Sequence, residues 1–451
     1  MNKQTKFRKY FLFAMFLIGL GCFNAILPSN IFGQQKHLKK VSTKVFGRPV
    51  GKVRFGIETK ENNTIANTIE VTEDEILFYG VNGDIIARRD HKSPYMIDFS
   101  RQGKYLAITE FLSEPEKGGK NGIFVFRLID NKNRVLWERT KEYGYDYYDG
   151  GYGPRSAYIS DKNATCIMFQ TPWVFEMYDS TGQLIKTVKM LEDKKGPTMF
   201  IAHDCVWSED GNFFAIITHE QMSSIGSKPT TRTIKKGDKV EEVQLPGYPP
   251  RSGNPWVFLF DHDGNEIWRR RIPNYIGSHI WISPKGGFVI ATGYTRTMKD
   301  YETRRPFKNN TYIFNRDGKM IKTFDRSFKC KTFSDDDQFA FLYGGNTALL
   351  FEFSTGKIIW EKSFVESVFS CSISKNGEKF AVATRDYKGD NALPQISIFD
   401  KKGVPIVENV LLNGKYLKSY GRNRDILKLS SDGKQLSILL EGQIVSYRIE
   451  D

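Results

Sequence analysis

One short pattern recurs along this chain and limits what it can fold into: an apolar residue, a serine, two or three polar residues usually ending in glycine, then an apolar run. Phe99-Ser100-Arg101-Gln102-Gly103 precedes Tyr105-Leu106-Ala107-Ile108, and Trp207-Ser208-Glu209-Asp210-Gly211 precedes Phe213 to Ile217. Ile282-Ser283-Pro284-Lys285-Gly286, Ile373-Ser374-Lys375-Asn376-Gly377 and Leu429-Ser430-Ser431-Asp432-Gly433 repeat the arrangement. Ile159-Ser160-Asp161-Lys162-Asn163 and Phe333-Ser334-Asp335-Asp336-Asp337 are copies without glycine, which makes seven. Asp and Asn bond their own backbone and Gly accepts a positive φ, so each copy reads as a tight β-hairpin between half-buried strands.

A second hairpin alternates with the first. Val257 to Phe260, Asp261-His262-Asp263-Gly264, then Glu266-Ile267-Trp268 is one copy. Others centre on Asp179 to Gly182, Asn315 to Gly318, Ser354 to Gly356 and Asp400 to Gly403, with Asp130 to Asn133 lacking glycine and Asn82-Gly83 an early example. A tryptophan often falls late in the following strand: Trp137, Trp268, Trp360. Two hairpins in alternation make a four-stranded antiparallel unit that cannot bury both faces alone. Such units stack radially, so the expected fold is all-β: a β-propeller of seven four-stranded blades over residues 67–451, closed by pairing of N- and C-terminal strands. The strand Ile444 to Ile449 is expected to meet one near Glu75 to Arg89. The unpaired hairpin at Asn82-Gly83 keeps eight blades as the alternative. The aromatic content of 14%, with 34 Phe and 21 Tyr, favours strands.

The serine hairpin resembles the repeat of Tol-Pal-type periplasmic propellers and other WD-like repeats. The Asp-x-x-Gly-x-x-x-Trp hairpin is similar to the pyrroloquinoline-quinone-type propeller repeat. Together these resemblances cover roughly residues 70–451 and imply a propeller. They imply little about activity, because propellers host many.

Residues 1–33 are read as a targeting segment: Lys3, Lys6, Arg8 and Lys9 form a positive head, and an apolar run from Tyr10 to Leu27 follows. The run has about 18 residues, at the border between a signal core and a membrane span. Three fates fit it: cleavage after Gly33, retention as an anchor, or lipidation at Cys22 through Leu20-Gly21-Cys22, where Gly19 occupies a position such boxes usually fill with leucine. The chain is thus expected to be exported, to a periplasmic or extracellular place. Residues 34–66 read as a basic linker. Net charge is +14, of which the head supplies +4 and leaves +10. That balance suits anionic partners such as acidic polysaccharide or lipid head groups, and equally suits simple solubility. Cys166, Cys205, Cys330 and Cys371 are scattered with no C-x-x-C pair, the spacing of small buried thiols.

The hairpin turns are uniformly short, whereas the remaining connections, on the opposite face, are long: Glu110 to Gly122, Lys141 to Ser156, Gln221 to Asn254, Tyr294 to Asn310 and Arg385 to Pro394. Loops mounted on a scaffold are where binding residues usually sit. One long loop is aromatic, with Tyr143, Tyr145, Asp146, Tyr147, Tyr148, Asp149 and Tyr152, flat surfaces with polar tips that suit sugars or proteins, or else pack on the blade edge. Another is basic, with Arg296, Lys299, Arg304, Arg305 and Lys308, an anion site or a solvated loop. The stretch 221–254 reads as a mobile spacer. A third group clusters at the expected mouth of the axial channel: Arg155, His203, Asp204, His279, Trp281, Lys329 and Arg424.

Catalytic chemistry is not written here. There is no His-Glu-x-x-His, no Gly-x-Ser-x-Gly, no phosphate-binding glycine loop, and only 6 His in all. Quinoproteins of the related repeat family use an adjacent cysteine pair that this chain lacks. No catalytic residue, metal or cofactor is therefore assigned. The sequence fits first a non-enzymatic propeller scaffold that binds a protein partner in the cell envelope. It fits next a binding module for anionic glycan or lipid, and last a lactonase- or quinoprotein-like enzyme working at the channel mouth. Nucleic acid is not an expected partner, and membrane attachment through the N-terminus stays open with the three fates of that segment.

Overall fold

The computed structural model describes residues 38–45, 52–60, 63–71, 75–79, 84–90, 96–100, 103–113, 122–143, 157–171, 174–190, 198–222, 230–236, 239–245, 252–253, 255–273, 276–295, 308–385, 394–412, 427–440 and 443–450. These residues are built of strands and turns, and none of the structure described is a helix long and apolar enough to cross a membrane. The run 10–27 lies outside the described residues.

The described strands form eight antiparallel blade sheets in chain order, seven of four strands and one, blade 4, of four strands with a short fifth, beside a separate two-stranded hairpin. Blade 1 spans residues 52–90, blade 2 residues 96–143, blade 3 residues 157–189, blade 4 residues 198–271, blade 5 residues 276–324, blade 6 residues 329–363 and blade 7 residues 367–411. Blade 8 takes Leu427–Leu429, Gln435–Leu440 and Gln443–Ile449 from the C-terminal part, and its outermost strand is the first of the described strands, Leu38–Val45. Leu38 lies opposite Ile449 and Val45 opposite Gln443.

Three expectations change at this point. Blade number is eight, because Glu75–Tyr79 and Ile85–Asp90, the strands flanking Asn82-Gly83 in the sequence, are the outer strands of a blade whose inner strands, Lys52–Lys60 and Asn63–Val71, lack the serine signature. The closing strand is Leu38–Val45, while Glu75 to Arg89 belongs to blade 1. The stretch expected to be a basic linker holds the closing strand and much of blade 1. The terminal pairing itself is as expected: it ties the two ends of the chain into one sheet and covers an edge that would otherwise be open.

The hairpin serines act as the sequence implies. Ser100, Ser208, Ser283, Ser334, Ser374 and Ser430 each accept the N–H five residues on at 2.9–3.0 Å. In three copies the serine hydroxyl also donates to an aspartate two residues on, as in Ser208 to Asp210 at 2.6 Å. In the outer hairpins an Asp or Asn carboxyl or amide oxygen accepts the N–H groups two and four residues on, as Asp261 does from Asp263 and Asn265 at 3.0 and 2.8 Å. These are Asx-turns closed by a positive-φ glycine, or by Asn133 at φ +65° in blade 2.

Packing is between blades. Apolar clusters join each of seven successive pairs, from Ile76, Phe78 and Leu106 between blades 1 and 2 to Val407, Leu427 and Leu436 between blades 7 and 8. Phenylalanines fill the widening wedge: Phe175, Phe214 and Phe260 meet at 5.0–5.7 Å between blades 3 and 4. Near the rim, the late tryptophan of one blade covers the turn glycine of the next. Trp268 lies over Gly318 and donates its indole N–H to Arg316 O at 2.8 Å, and Arg270 Nε reaches Gly318 O at 2.9 Å. Trp137 over Gly182 and Trp360 over Gly403 repeat the contact.

Candidate functional site

Antiparallel strands put both turns of each blade on one end of the ring and the other connections on the opposite end. The turn end is knitted together by short bonds such as Asn131 N to Lys104 O at 2.9 Å and Phe353 N to Gln338 O at 2.9 Å. The loop end holds every long connection. Blade 4 stands tallest there: its inner strands, Thr198–Trp207 and Phe213–Met222, run 10 residues each. The stretch between its second and third strands, expected to be a spacer, instead folds as a hairpin, Thr230–Lys236 paired with Lys239–Leu245. A further short strand, Ser252–Gly253, adds to Glu220 and Gln221.

The first strand of each blade lines the axis. Residues one and three before the repeat serine face the core, as Cys205 and Trp207 or Ile280 and Ile282 show. The alternating residues Asp98, Tyr158, Val206, Trp281, Thr332 and Lys428 are half-buried, as a channel lining should be. Not all of this polarity is open lining. Asp98 Oδ2 accepts Ala157 N at 2.8 Å, clasping blade 2 to blade 3, and Ser372 Oγ accepts Leu429 N at 2.9 Å, clasping blade 7 to blade 8.

At the loop end of this channel, β-bulges interrupt the first strands of blades 4, 5 and 7, between Ala202 and Asp204, Gly277 and His279, and Val368 and Ser370. A bulge re-aims the residues beside it and occurs often near functional sites. Here it presents Asp204 and His279 from neighbouring blades to one another, with His279 Nδ1 at 3.8 Å from Asp204 Oδ2 and both partly buried. The His279 ring lies 5.6 Å from that of Trp281. Asp204 Oδ1 also accepts Cys205 N at 3.1 Å, which fixes its carboxylate. Tyr158 continues the aromatic lining from blade 3, edge-on to Phe169 at 5.8 Å.

Of the expected mouth residues, Asp204, His279 and Trp281 therefore come together, and Lys329 opens the first strand of blade 6 at the same end as an exposed residue. His203 is the bulge residue of blade 4. Arg155 and Arg424 lie outside the described residues. So do Tyr145, Asp146, Tyr147, Tyr148, Asp149 and Tyr152, while Tyr143 ends the outer strand of blade 2 opposite Gly122. Arg296, Lys299, Arg304 and Arg305 also lie outside, and Lys308 starts the third strand of blade 5 opposite Thr295.

The mouth offers a carboxylate, an imidazole and an indole, which can hold a polar or cationic group against a flat apolar surface. Among the described residues no three His, Cys, Asp or Glu side chains gather as a metal site would need. Cys166, Cys205, Cys330 and Cys371 are buried free thiols, as their spacing implied. Burial pushes the Cys205 thiol up, with Asp204 adding to it, so it is no nucleophile at neutral pH.

The architecture is that of a WD-like β-propeller. No family model matches the chain, and no curated protein matches it either. Among solved structures, the Dos1 propeller superposes over 93% of this chain and 96% of its own with a TM-score of 0.52 at 11% identity. The C-terminal WD40 domain of Sif2 gives a TM-score of 0.49 at 13% identity, over 92% of this chain and 99% of its own. At 11% identity the likeness to the Dos1 propeller speaks for the fold alone.

Proposed function

We propose that this propeller is an exported, non-enzymatic scaffold that binds a protein partner in the cell envelope through its loop end. The observation that carries the reading is the asymmetry of the ring: one end is sealed by short, hydrogen-bonded turns, and the other gathers the long connections, the raised hairpin of blade 4 and the Asp204–His279–Trp281 mouth. Strands bearing long connections around a polar and aromatic centre suit recognition of a protein surface.

The test is affinity purification of the full chain from its native envelope after cross-linking, beside a His279→Ala/Trp281→Ala variant. A protein recovered in stoichiometric amount with the native chain, and reduced about tenfold or more with the variant, is the expected result, since central aromatic anchors dominate interface energetics. A chain that runs as a monomer from cross-linked envelopes and brings no partner with it overturns the proposal.

A further inference from the structure

The outermost strands carry a pattern that neither the fold nor a loop-end partner requires. Ten of the thirteen large hydrophobic side chains exposed among the described residues lie at one level, where outer strands leave the turn end, and are 36–56% exposed. Blade 1 contributes Ile85 and Ile86, blade 3 Leu184 and Ile185, and blade 6 Ile358 and Ile359, with single residues from blades 2, 4, 5 and 7. Together they form an interrupted apolar ring around the rim of the turn end. Single exposed aliphatics need no explanation, but repetition at one level in seven blades is a surface feature.

The same strands are strongly basic. The eight outermost strands hold fifteen Lys or Arg against six Asp or Glu, nearly the whole charge excess of the chain outside residues 1–33. Cations on edge strands discourage edge-to-edge pairing, which accounts for their presence. Edge protection gives no reason for aliphatic residues beside them.

Chain direction supplies a third, independent observation. The closing strand begins at Leu38, opposite Ile449, and Ile449 N bonds Lys434 O in the turn-end hairpin of blade 8. The chain therefore enters the ring at the rim of the turn end. The apolar run 10–27 ends eleven residues earlier, a reach of at most about 40 Å for extended chain.

We infer that the rim of the turn end rests on an anionic lipid bilayer, with the loop end facing away. The aliphatic ring enters the head-group boundary, the basic outer strands are drawn to anionic lipid, and the N-terminal segment arrives from the same side. The inference does not depend on a protein partner at the loop end.

The test uses the full chain with a photo-cross-linking phenylalanine analogue at Ile185, at Ile359, or at Val365, which is fully exposed in the connection from blade 6 to blade 7 at the loop end. Each is mixed with phosphatidylcholine vesicles with and without phosphatidylglycerol, illuminated, and analysed for protein–lipid adducts by mass spectrometry. Adducts at Ile185 and Ile359 should exceed those at Val365 about tenfold, and phosphatidylglycerol should raise them severalfold. Equal or greater yield at Val365, no adduct at any position, or no response to phosphatidylglycerol overturns the inference. Protein partners are not involved in the readout, so its failure leaves the scaffold reading standing.

Discussion

Gly318 is the place where the ring can be tested with a single methyl group. Its φ is +75°, and a Cβ built on it would lie 2.8 Å from Trp268 Cγ and 2.9 Å from Cδ2, closer than real side chains approach. Gly318→Ala therefore has two separable costs. The left-handed backbone costs an L-residue about 1–2 kcal/mol, and forcing the turn away from a packed indole adds about 1–3 kcal/mol. Gly356 is the internal control. It occupies the equivalent turn of blade 6 with φ +66°, but nothing lies within 4 Å of its notional Cβ. Gly356→Ala should lose only the backbone component of about 1–2 kcal/mol. Urea unfolding followed by tryptophan fluorescence reads both variants. Pairing Gly318→Ala with Trp268→Ala should show a coupling of about 1–3 kcal/mol, because the methyl then has room. If the two glycine variants lose the same stability and the pair is additive, the indole is not seated on the turn, and the account of how neighbouring blades register at the rim fails.

Asp337 ties blade 5 to blade 6: its carboxylate accepts Ser283 Oγ at 2.7 Å and the N–H groups of Lys285 and Gly287 at 3.0 Å. Asp337→Ala should cost about 3 kcal/mol or more in urea unfolding, and Asp337→Asn, which keeps an acceptor and tolerates φ +62°, clearly less. Burial, with Asp325 nearby, pushes the Tyr312 hydroxyl up to about 12 from an ordinary 10.0. Between those values the folded state holds a proton that the unfolded chain has released. Its contribution is thus complete below pH 10 and is lost as pH rises through 12, and Tyr312→Phe should flatten that part of the alkaline stability curve. In a Cys22→Ser background, Cys166, Cys205, Cys330 and Cys371 should resist a maleimide at neutral pH until the protein is unfolded, then all react. Labelling of the native protein by mass spectrometry would contradict their burial.

What could be read from the sequence follows burial. Seven blades announced themselves because the inner hairpin of each must offer an apolar strand on both sides of a tight turn, and Ser-x-x-Gly is the local chemistry that closes it. Blade 1 escaped because the sequence of the paired strands Lys52–Lys60 and Asn63–Val71 carries no repeat serine and interleaves its apolar residues with charge. The closing strand, LKKVSTKV, escaped for a related reason: an outermost strand has one edge in water and no need of an apolar pattern, so three lysines made it look like linker. The raised hairpin of blade 4 is built from TTRTIKK and KVEEVQL, alternating sequences whose polar residues spoke for a spacer more loudly than their pairing spoke for strands.

The mouth was legible in composition and hidden in geometry. Two-residue alternation, counted back from the repeat serine, sets Asp204 and His279 apart from Val206 and Trp281 only by distance along the strand. The bulges beside them add a residue that no periodicity announces, and it is the bulge that decides how the next side chain is aimed. One regularity could have revealed the pair: Asp204 and His279 both stand four residues before their serines, Ser208 and Ser283, in consecutive blades. Equivalent positions in adjacent blades are neighbours around the axis whatever the local backbone does. A complementary acid and imidazole at one repeat position in consecutive copies therefore predicts a contact across the blade boundary. For a ring fold this makes comparison between repeats a better guide to the site than comparison within one.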